Sequence, residues 1–405
     1  MSVTDKFLRY VKIDTQSDEE STTFPSTEKQ KDLGRLLYKE LKEMGAANVS
    51  FDEKYGYVYA EIPETRKTDK VIGFIAHMDT SPETSGKDVK PKFVENYDGG
   101  DIILDANKEY VLSPEKYPEI LDYVGKTLIT TDGTTLLGAD DKAGVSEIME
   151  MAEILLKDKS IPHGKIKIGF TPDEEVGAGV DYFDVMVFGA DFAYTVDGGG
   201  IGELEYENFN AAALTVNVSG VTVHPGEAKN KMKNASLIAM EFEQLLPKFE
   251  KPEYTEGYEG FFYLSSMEGE TESATLKYII RDHSFDKYNE KVALAKNVAG
   301  FLNQKYGEGT VSVEIKEQYR NMREKIEDGN MFLVDYAVEA MKEMGINPKV
   351  QPIRGGTDGA RLSYMGLPCP NICTGGHNFH GRFEYICVES MEEIVKLLLK
   401  LACRF

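Results

Sequence analysis

A chain of 405 residues exceeds what one hydrophobic core usually supports, so two domains are expected. Hydrophobic residues at 41% and charged residues at 28% describe a folded globular protein rather than a disordered one. Acidic residues number 69 against 46 basic ones, and the resulting charge of −23 argues against nucleic acid or anionic lipid as a partner.

Met1–Gln16 lacks the apolar run of a secretory signal, and no segment approaches the ~20 apolar residues of a membrane span. The four cysteines (Cys369, Cys373, Cys387, Cys403) all lie late in the chain, with none earlier to pair with. That pattern suits reduced, structural thiols in a cytoplasmic enzyme, and no second pair completes Cys369-x-x-x-Cys373 as a zinc knuckle.

Along the chain, a short helix is expected at Asp5–Ile13. Thr27-x-x-Gln30 reads as a capping box for a helix ending at Met44, with Gly45 as its stop. Strands follow near Val49–Asp52 and Tyr57–Ile62. Lys70–Ala76 is a near-continuous apolar run ending in His77, as a central strand buried on both faces would read. Thr80–Lys126 has little periodic pattern and is expected to be an ordered excursion near the site. A helix at Gly144–Leu156 and strands at Lys165–Thr171 and Phe192–Val196 complete the first α/β portion. From about Asn210 the texture changes. Strand, helix, two strands, helix and strand follow in the order of a small ferredoxin-like sandwich, ending near Glu317. Beyond Gln318 come a helix at Met331–Met344, a glycine-rich turn at Arg354–Asp358, a strand near Pro370–Cys373 and a last helix from Ser390.

Six short segments place metal-type ligands beside glycines or strand residues: Ala76–Asp79, Gly138–Asp141, Pro172–Glu175, Val196–Gly199, Gly355–Asp358 and Asn378–Gly381. In three of them the candidate ligand lies just past the carboxyl end of an expected strand, where open α/β sheets build their sites. His77 and Asp79, two apart, face one side of a strand. Asp79 suits the carboxylate that orients a ligating imidazole better than it suits a ligand. Asp140 sits in a turn before a helix, where it can either cap that helix or bridge two metals. Glu174 and Glu175 are adjacent carboxylates whose repulsion is costly without cations; one can ligate while the other, with a raised pKa, acts as a general base. His377 and His380 share a glycine-rich turn, and either can serve as a ligand.

These residues carry a resemblance. Ile75–Thr80, Leu137–Gly144, Thr171–Gly177, Thr195–Gly199, Val223–Gly226, Arg354–Gly359 and Gly375–Gly381 together resemble the motifs of the M20 family of cocatalytic zinc aminoacylases and peptidases, over essentially the full length. The resemblance implies a zinc-peptidase-like α/β catalytic domain, a mixed central sheet flanked by helices. Its two parts are 1–208 and 320–405, and an inserted ferredoxin-like α+β domain at 209–319 would serve as lid and as the surface of a homodimer. It implies two zinc ions per subunit. His77 and Asp197 would hold one, Glu175 and His380 the other, and Asp140 would bridge them, leaving His377 unligated. Glu174 would be the general base and Asp79 the orienting carboxylate. His224, in Val223-His224-Pro225-Gly226, matches the position of the family's oxyanion donor, and Arg281 and Arg354 resemble its carboxylate-binding arginines.

The activity so implied is release of the N-terminal residue from tripeptides, with short peptides as the substrate class. A dipeptidase or N-acyl amino acid deacylase would keep the same ligands and change only the pocket. A silent metal-binding relative would have no need of an unligated Glu174.

Overall fold

The computed structural model describes residues 1–405 in two compact units. One comprises Met1–Tyr206, Glu324–Gln351 and Thr357–Phe405, and the other Glu207–Arg323 with Pro352–Gly356. The expected boundaries after 208 and 319 lie within a few residues of these divisions. The short Pro352–Gly356 segment, read from sequence as part of the second catalytic portion, instead packs within the second unit. There Ile353 donates its N–H to Glu207 O at 2.8 Å, and His283 Nε2 lies 3.1 Å from Ile353 O.

The first unit is built on an eight-stranded mixed sheet. In spatial order its strands are Ala47–Phe51, Val58–Ile62, Ile166–Thr171, Ile72–His77, Phe192–Gly198, Asn371–Cys373, Glu203–Glu205 and Lys349–Val350. Neighbours from Ile166–Thr171 through Asn371–Cys373 run parallel. Ile72–His77 is buried at every position because helices cover both faces of its neighbourhood, which explains its unbroken apolar run. Helix Ala139–Lys157 packs on this strand and on Phe192–Gly198. A glycine is required where they meet, since a Cβ on Gly144 would stand 1.9 Å from Val196 O.

The Thr80–Lys126 excursion is ordered around its own core of Tyr97, Ile102, Leu104, Leu112, Ile120 and Tyr123. Its strand Lys92–Val94 joins Leu128–Thr130, Tyr385–Cys387 and Gly376–His377 in a small antiparallel sheet. The expected capping box does not form. Helix Gln30–Met44 starts later, with Lys29 at its cap and no side-chain cap bond. Thr27 Oγ1 instead donates to Gln16 O at 2.7 Å, and Gln30 reaches toward the candidate site. Gly45 ends the helix in the left-handed conformation, φ +86°, as anticipated.

The second unit orders its strands Phe261–Gly269, Ser273–Asp282, Asn210–Ser219 and Val311–Tyr319, all antiparallel. Helices Ala235–Leu245 and Phe285–Tyr306 cover one face over a core that includes Leu214, Val216, Phe242, Leu276, Ile280 and Leu302. This is the ferredoxin-like order read from the alternating elements.

Candidate active site

The carboxyl ends of the parallel strands, the start of helix Ala139–Lys157 and the turn at Asn378–Gly381 bring the expected ligands together. His77 closes its strand and is 2% exposed. Its Nε2 lies 2.8 Å from Asp140 Oδ1 and 3.3 Å from Asp197 Oδ1. Its Nδ1 faces Asp79, 3.1 Å from the carbonyl and 3.3 Å from Oδ1, which leaves Nε2 directed at the carboxylates. His380 Nε2 lies 2.9 Å from Glu175 Oε2 and 3.3 Å from Asp140 Oδ2. Two ligand-competent trios result, His77–Asp140–Asp197 and Asp140–Glu175–His380, each with its ligand atoms within 4.8 Å of one another. Asp140 belongs to both and turns one oxygen toward each imidazole.

Acidic side chains fasten the backbone of these loops. Asp79, fully buried, accepts the N–H of Glu174 at 3.0 Å and of Glu175 at 3.2 Å. Asp141 accepts the N–H of His77 at 3.1 Å and of Gly144 at 3.2 Å. Glu384 accepts from Leu137, Gly138 and Asp140. Asp173 has a left-handed φ of +57°, uncommon for a residue with a side chain. It is held there by Ser26, by Gln30 Nε2 at 2.7 Å, and by its own N–H donating to Gln30 Oε1 at 3.0 Å. Gln30 therefore supports the turn that presents Glu174, in place of the capping role read from sequence. Asp141, Asp173 and Glu384 escaped the sequence reading. Asp141 and Asp173 lie inside the motifs Gly138–Asp141 and Pro172–Glu175, but nothing local to them or to Glu384 reveals a partner distant in the chain.

The electrostatics explain what such a cluster requires. Burial, followed by the charge of Asp197, raises Glu174 well above the usual carboxylate range. Burial and then Asp140 push Glu175 up to about 8. Burial likewise raises Asp197 to about 6. For Asp140 burial works upward, but hydrogen bonds to His380 and His77 outweigh it and hold the carboxyl below its ordinary value. Glu175 Oε1 is buried with no hydrogen-bond partner. Several carboxyls crowded around two imidazoles, one with an orphaned oxygen, form a donor set that suits two divalent cations. Asp358 lies close by but in neither trio. It opens helix Asp358–Tyr364 and accepts from Thr171 Oγ1 at 2.8 Å.

His377 is engaged elsewhere. Its Nε2 lies 2.6 Å from Tyr123 Oη, and its ring stacks on Tyr385 at 4.9 Å. In the second unit His224 is exposed, and its Nδ1 accepts from Gly226 N–H at 3.2 Å, which leaves Nε2 as the outward donor. Arg281 donates from Nη1 to Arg354 O at 3.1 Å, while its Nε is buried without a partner. Arg354, expected as a carboxylate anchor, is occupied within its own unit. Nη1 donates to Gly257 O at 2.6 Å and Glu259 O at 3.2 Å, and Nη2 to Thr255 Oγ1 at 3.1 Å. A guanidinium whose Nη1 and Nη2 donate to oxygens of Thr255, Gly257 and Glu259 holds that loop together, and a substrate carboxylate would have to displace those oxygens.

Residues 131–404 match the peptidase family M20/M25/M40. The chain is 59% identical over 399 residues to peptidase T of Alkaliphilus oremlandii, covering 98% of this chain and 97% of the relative. It is 57% identical over 400 residues to peptidase T of Clostridium acetobutylicum, covering 98% of each. The fold is shared with the crystal structure of aminopeptidase PepT from Bacillus cereus, at a TM-score of 0.78 and 24% identity over 99% of this chain and 97% of that one. It is shared also with a dinuclear metal-binding M20 peptidase of Bacillus subtilis, at a TM-score of 0.67 and 14% identity over 99% and 96%. The chain belongs to the M20 peptidase family.

Proposed function

We propose that this chain is a two-zinc aminopeptidase of the cytoplasm that releases the N-terminal residue of tripeptides. The observation that carries the reading is Asp140, whose two carboxylate oxygens face the imidazoles of His77 and His380 separately. His77, Asp140 and Asp197 would hold one ion, and Asp140, Glu175 and His380 the other. A pair of divalent ions there would supply Lewis-acid polarisation of a scissile carbonyl and acidification of the attacking water.

The remaining work falls to side chains. Glu174 lies in neither trio, its backbone is fixed by Asp79, and its carboxyl has a high proton affinity. It is the group to take the proton of the attacking water and return it to the departing amine. Asp79 keeps the His77 ring oriented with Nε2 toward Asp140 and Asp197, as a residue that would hold an ion with them requires. His224 is assigned to the developing oxyanion through Nε2–H, with Nδ1 occupied by Gly226. Between the two arginines, Arg281, with its unpartnered Nε, is the one assigned to the peptide's terminal carboxylate.

The test is hydrolysis of di-, tri- and tetrapeptides and N-acetyl amino acids, before and after chelation. Tripeptides should be cleaved first and lose their N-terminal residue, with activity lost to chelator and restored by zinc. Preferred cleavage of dipeptides or N-acetyl amino acids would replace this reading with another activity of the family. For the anchor, Arg281→Ala should lower kcat/KM for free tripeptides far more than for C-terminally amidated ones. Equal sensitivity would remove Arg281 from substrate.

A further inference from the structure

Glu384 is 1% exposed, and its carboxylate sits against the turn that leads into helix Ala139–Lys157. Oε2 accepts the N–H of Leu137 at 2.6 Å and of Gly138 at 2.8 Å, and Oε1 accepts that of Asp140 at 3.1 Å. Gly138 has φ +82°, so the turn folds in a way that brings these amides to one point. Converging N–H groups make a concavity suited to an anion, here supplied by the protein itself. The residue that supplies it lies four positions after His380. One carboxylate thus joins the turn bearing Asp140 to the turn bearing the outer imidazole, across 244 residues of sequence.

The geometry points to Glu384 as a positioning residue. It fixes Asp140 relative to His380, and through that spacing it governs how firmly the Asp140–Glu175–His380 trio retains its ion. This rests on the two-metal reading above. His380 needs such support more than His77 does. It has a left-handed φ of +64° on a turn outside the main sheet, whereas His77 is part of a central strand. Three backbone N–H groups of one turn converging on a single carboxyl make a multidentate clasp. Glu389 offers a matched comparison in the same unit, since both its oxygens accept the N–H of Thr127, at 3.0 and 3.2 Å, away from either trio.

The experiment uses the full-length protein loaded with zinc, and the variants Glu384→Ala, Glu384→Gln and Glu389→Gln. Zinc release to a chromophoric chelator, kcat and KM on a tripeptide, and the melting temperature of the metal-free form are measured on each. Glu384→Ala should release one of two zinc ions about 10–100-fold faster and lose kcat by a similar factor, with KM within about twofold. Glu384→Gln, which keeps one acceptor oxygen, should fall between. Glu389→Gln should lower the metal-free melting temperature and leave zinc release within about twofold. Wild-type release rates in both Glu384 variants, or equal acceleration in Glu389→Gln, overturn the assignment, as does a wild-type chain that holds no second ion. If Glu384→Ala does not fold, Glu384→Gln decides. If the wild type binds two zinc ions but cleaves no tripeptide, the proposed activity fails while the release rates still decide the role of Glu384.

Discussion

The two trios share Asp140 and differ in almost everything else. His77 stands at the end of a central strand, 2% exposed, with its register set by pairing to Thr171. Asp197 lies on the next parallel strand. His380 lies on a turn and Glu175 in the one-turn 3-10 helix Glu174–Val176, and the His380 side chain is 38% exposed. The turn that carries His380 takes positive φ at Asn378 and again at His380 itself. One trio thus has two members on strands of the sheet, with Asp141 clasping the N–H of His77 in addition, while the other depends on side chains that clasp loop backbone. A strand end fixes an imidazole at little cost, because its neighbours are needed for the sheet anyway. A loop ligand depends on dedicated partners, and its ion should be the easier one to exchange.

The variants that test this contrast differ widely in expected effect. Asp140→Ala removes the shared carboxylate, so both trios should fail: atomic absorption should find less than one zinc per chain and no measurable turnover. Retention of two ions would disprove the bridging assignment. Glu174→Gln leaves every proposed ligand in place, so zinc content should stay at two while kcat falls by at least ~10²-fold. Near-normal turnover in that fully metallated variant would eliminate Glu174 as the base. Comparing His77→Ala with His380→Ala addresses the two trios directly. His380→Ala should lose one ion and keep its fold, whereas His77→Ala should also lower the melting temperature, because its ring is buried within the sheet. If His380→Ala proves the more damaging to stability, the distinction between strand-held and loop-held halves is wrong.

Proton linkage gives a smaller but signed effect. In the metal-free protein burial raises Glu175 to about 8, Asp197 to about 6 and Asp358 to about 7. Each binds its proton more tightly folded than unfolded, so each adds stability at low pH that is lost as pH rises through its folded value. His380 acts with the same sign. Burial opposes its charge, but hydrogen bonds to Asp140 and Glu175 carry it up to about 11. His377, lowered to about 4 by burial, acts in the opposite sense below its ordinary value of 6.5 and is outnumbered. The metal-free melting temperature should therefore fall from about pH 5 to about pH 8, and two bound zinc ions should flatten that fall. A flat metal-free profile in calorimetry would mean the carboxyls are not short of counter-charge. The smallest effect is expected for Gln30→Ala, which removes the amide that steadies Asp173. A kcat loss of about tenfold, with zinc content unchanged, would correspond to one or two lost hydrogen bonds at ~1 kcal/mol each.

Sequence alone made the longer elements and the candidate ligands legible, whereas short strands such as Glu203–Glu205 and Lys349–Val350 carry too little pattern to read locally. Periodicity is local, so the long helix Phe285–Tyr306, with Ser284 capping it and Gly307 after it, was legible residue by residue. The apolar run ending in His77 marked a buried strand, and the position of Asp140, Glu175 and Asp197 near strand ends or turns followed from the pattern around them. The tertiary structure decided which groups share space. Gln30 looked like a cap because a capping box is defined by spacing, yet its amide is drawn to Asp173, 143 residues away, where a strained turn needs partners. Arg354 resembles a carboxylate-binding arginine in its motif, and its Nη1 and Nη2 donate to carbonyls of Thr255–Glu259. The clasps made by Asp141 and Glu384, like the orientation of Asp140 toward two imidazoles, join loops that only chain folding brings together. A hydrogen bond depends on distances of about 3 Å, which sequence spacing fixes along one helix or strand but not between strands of a sheet.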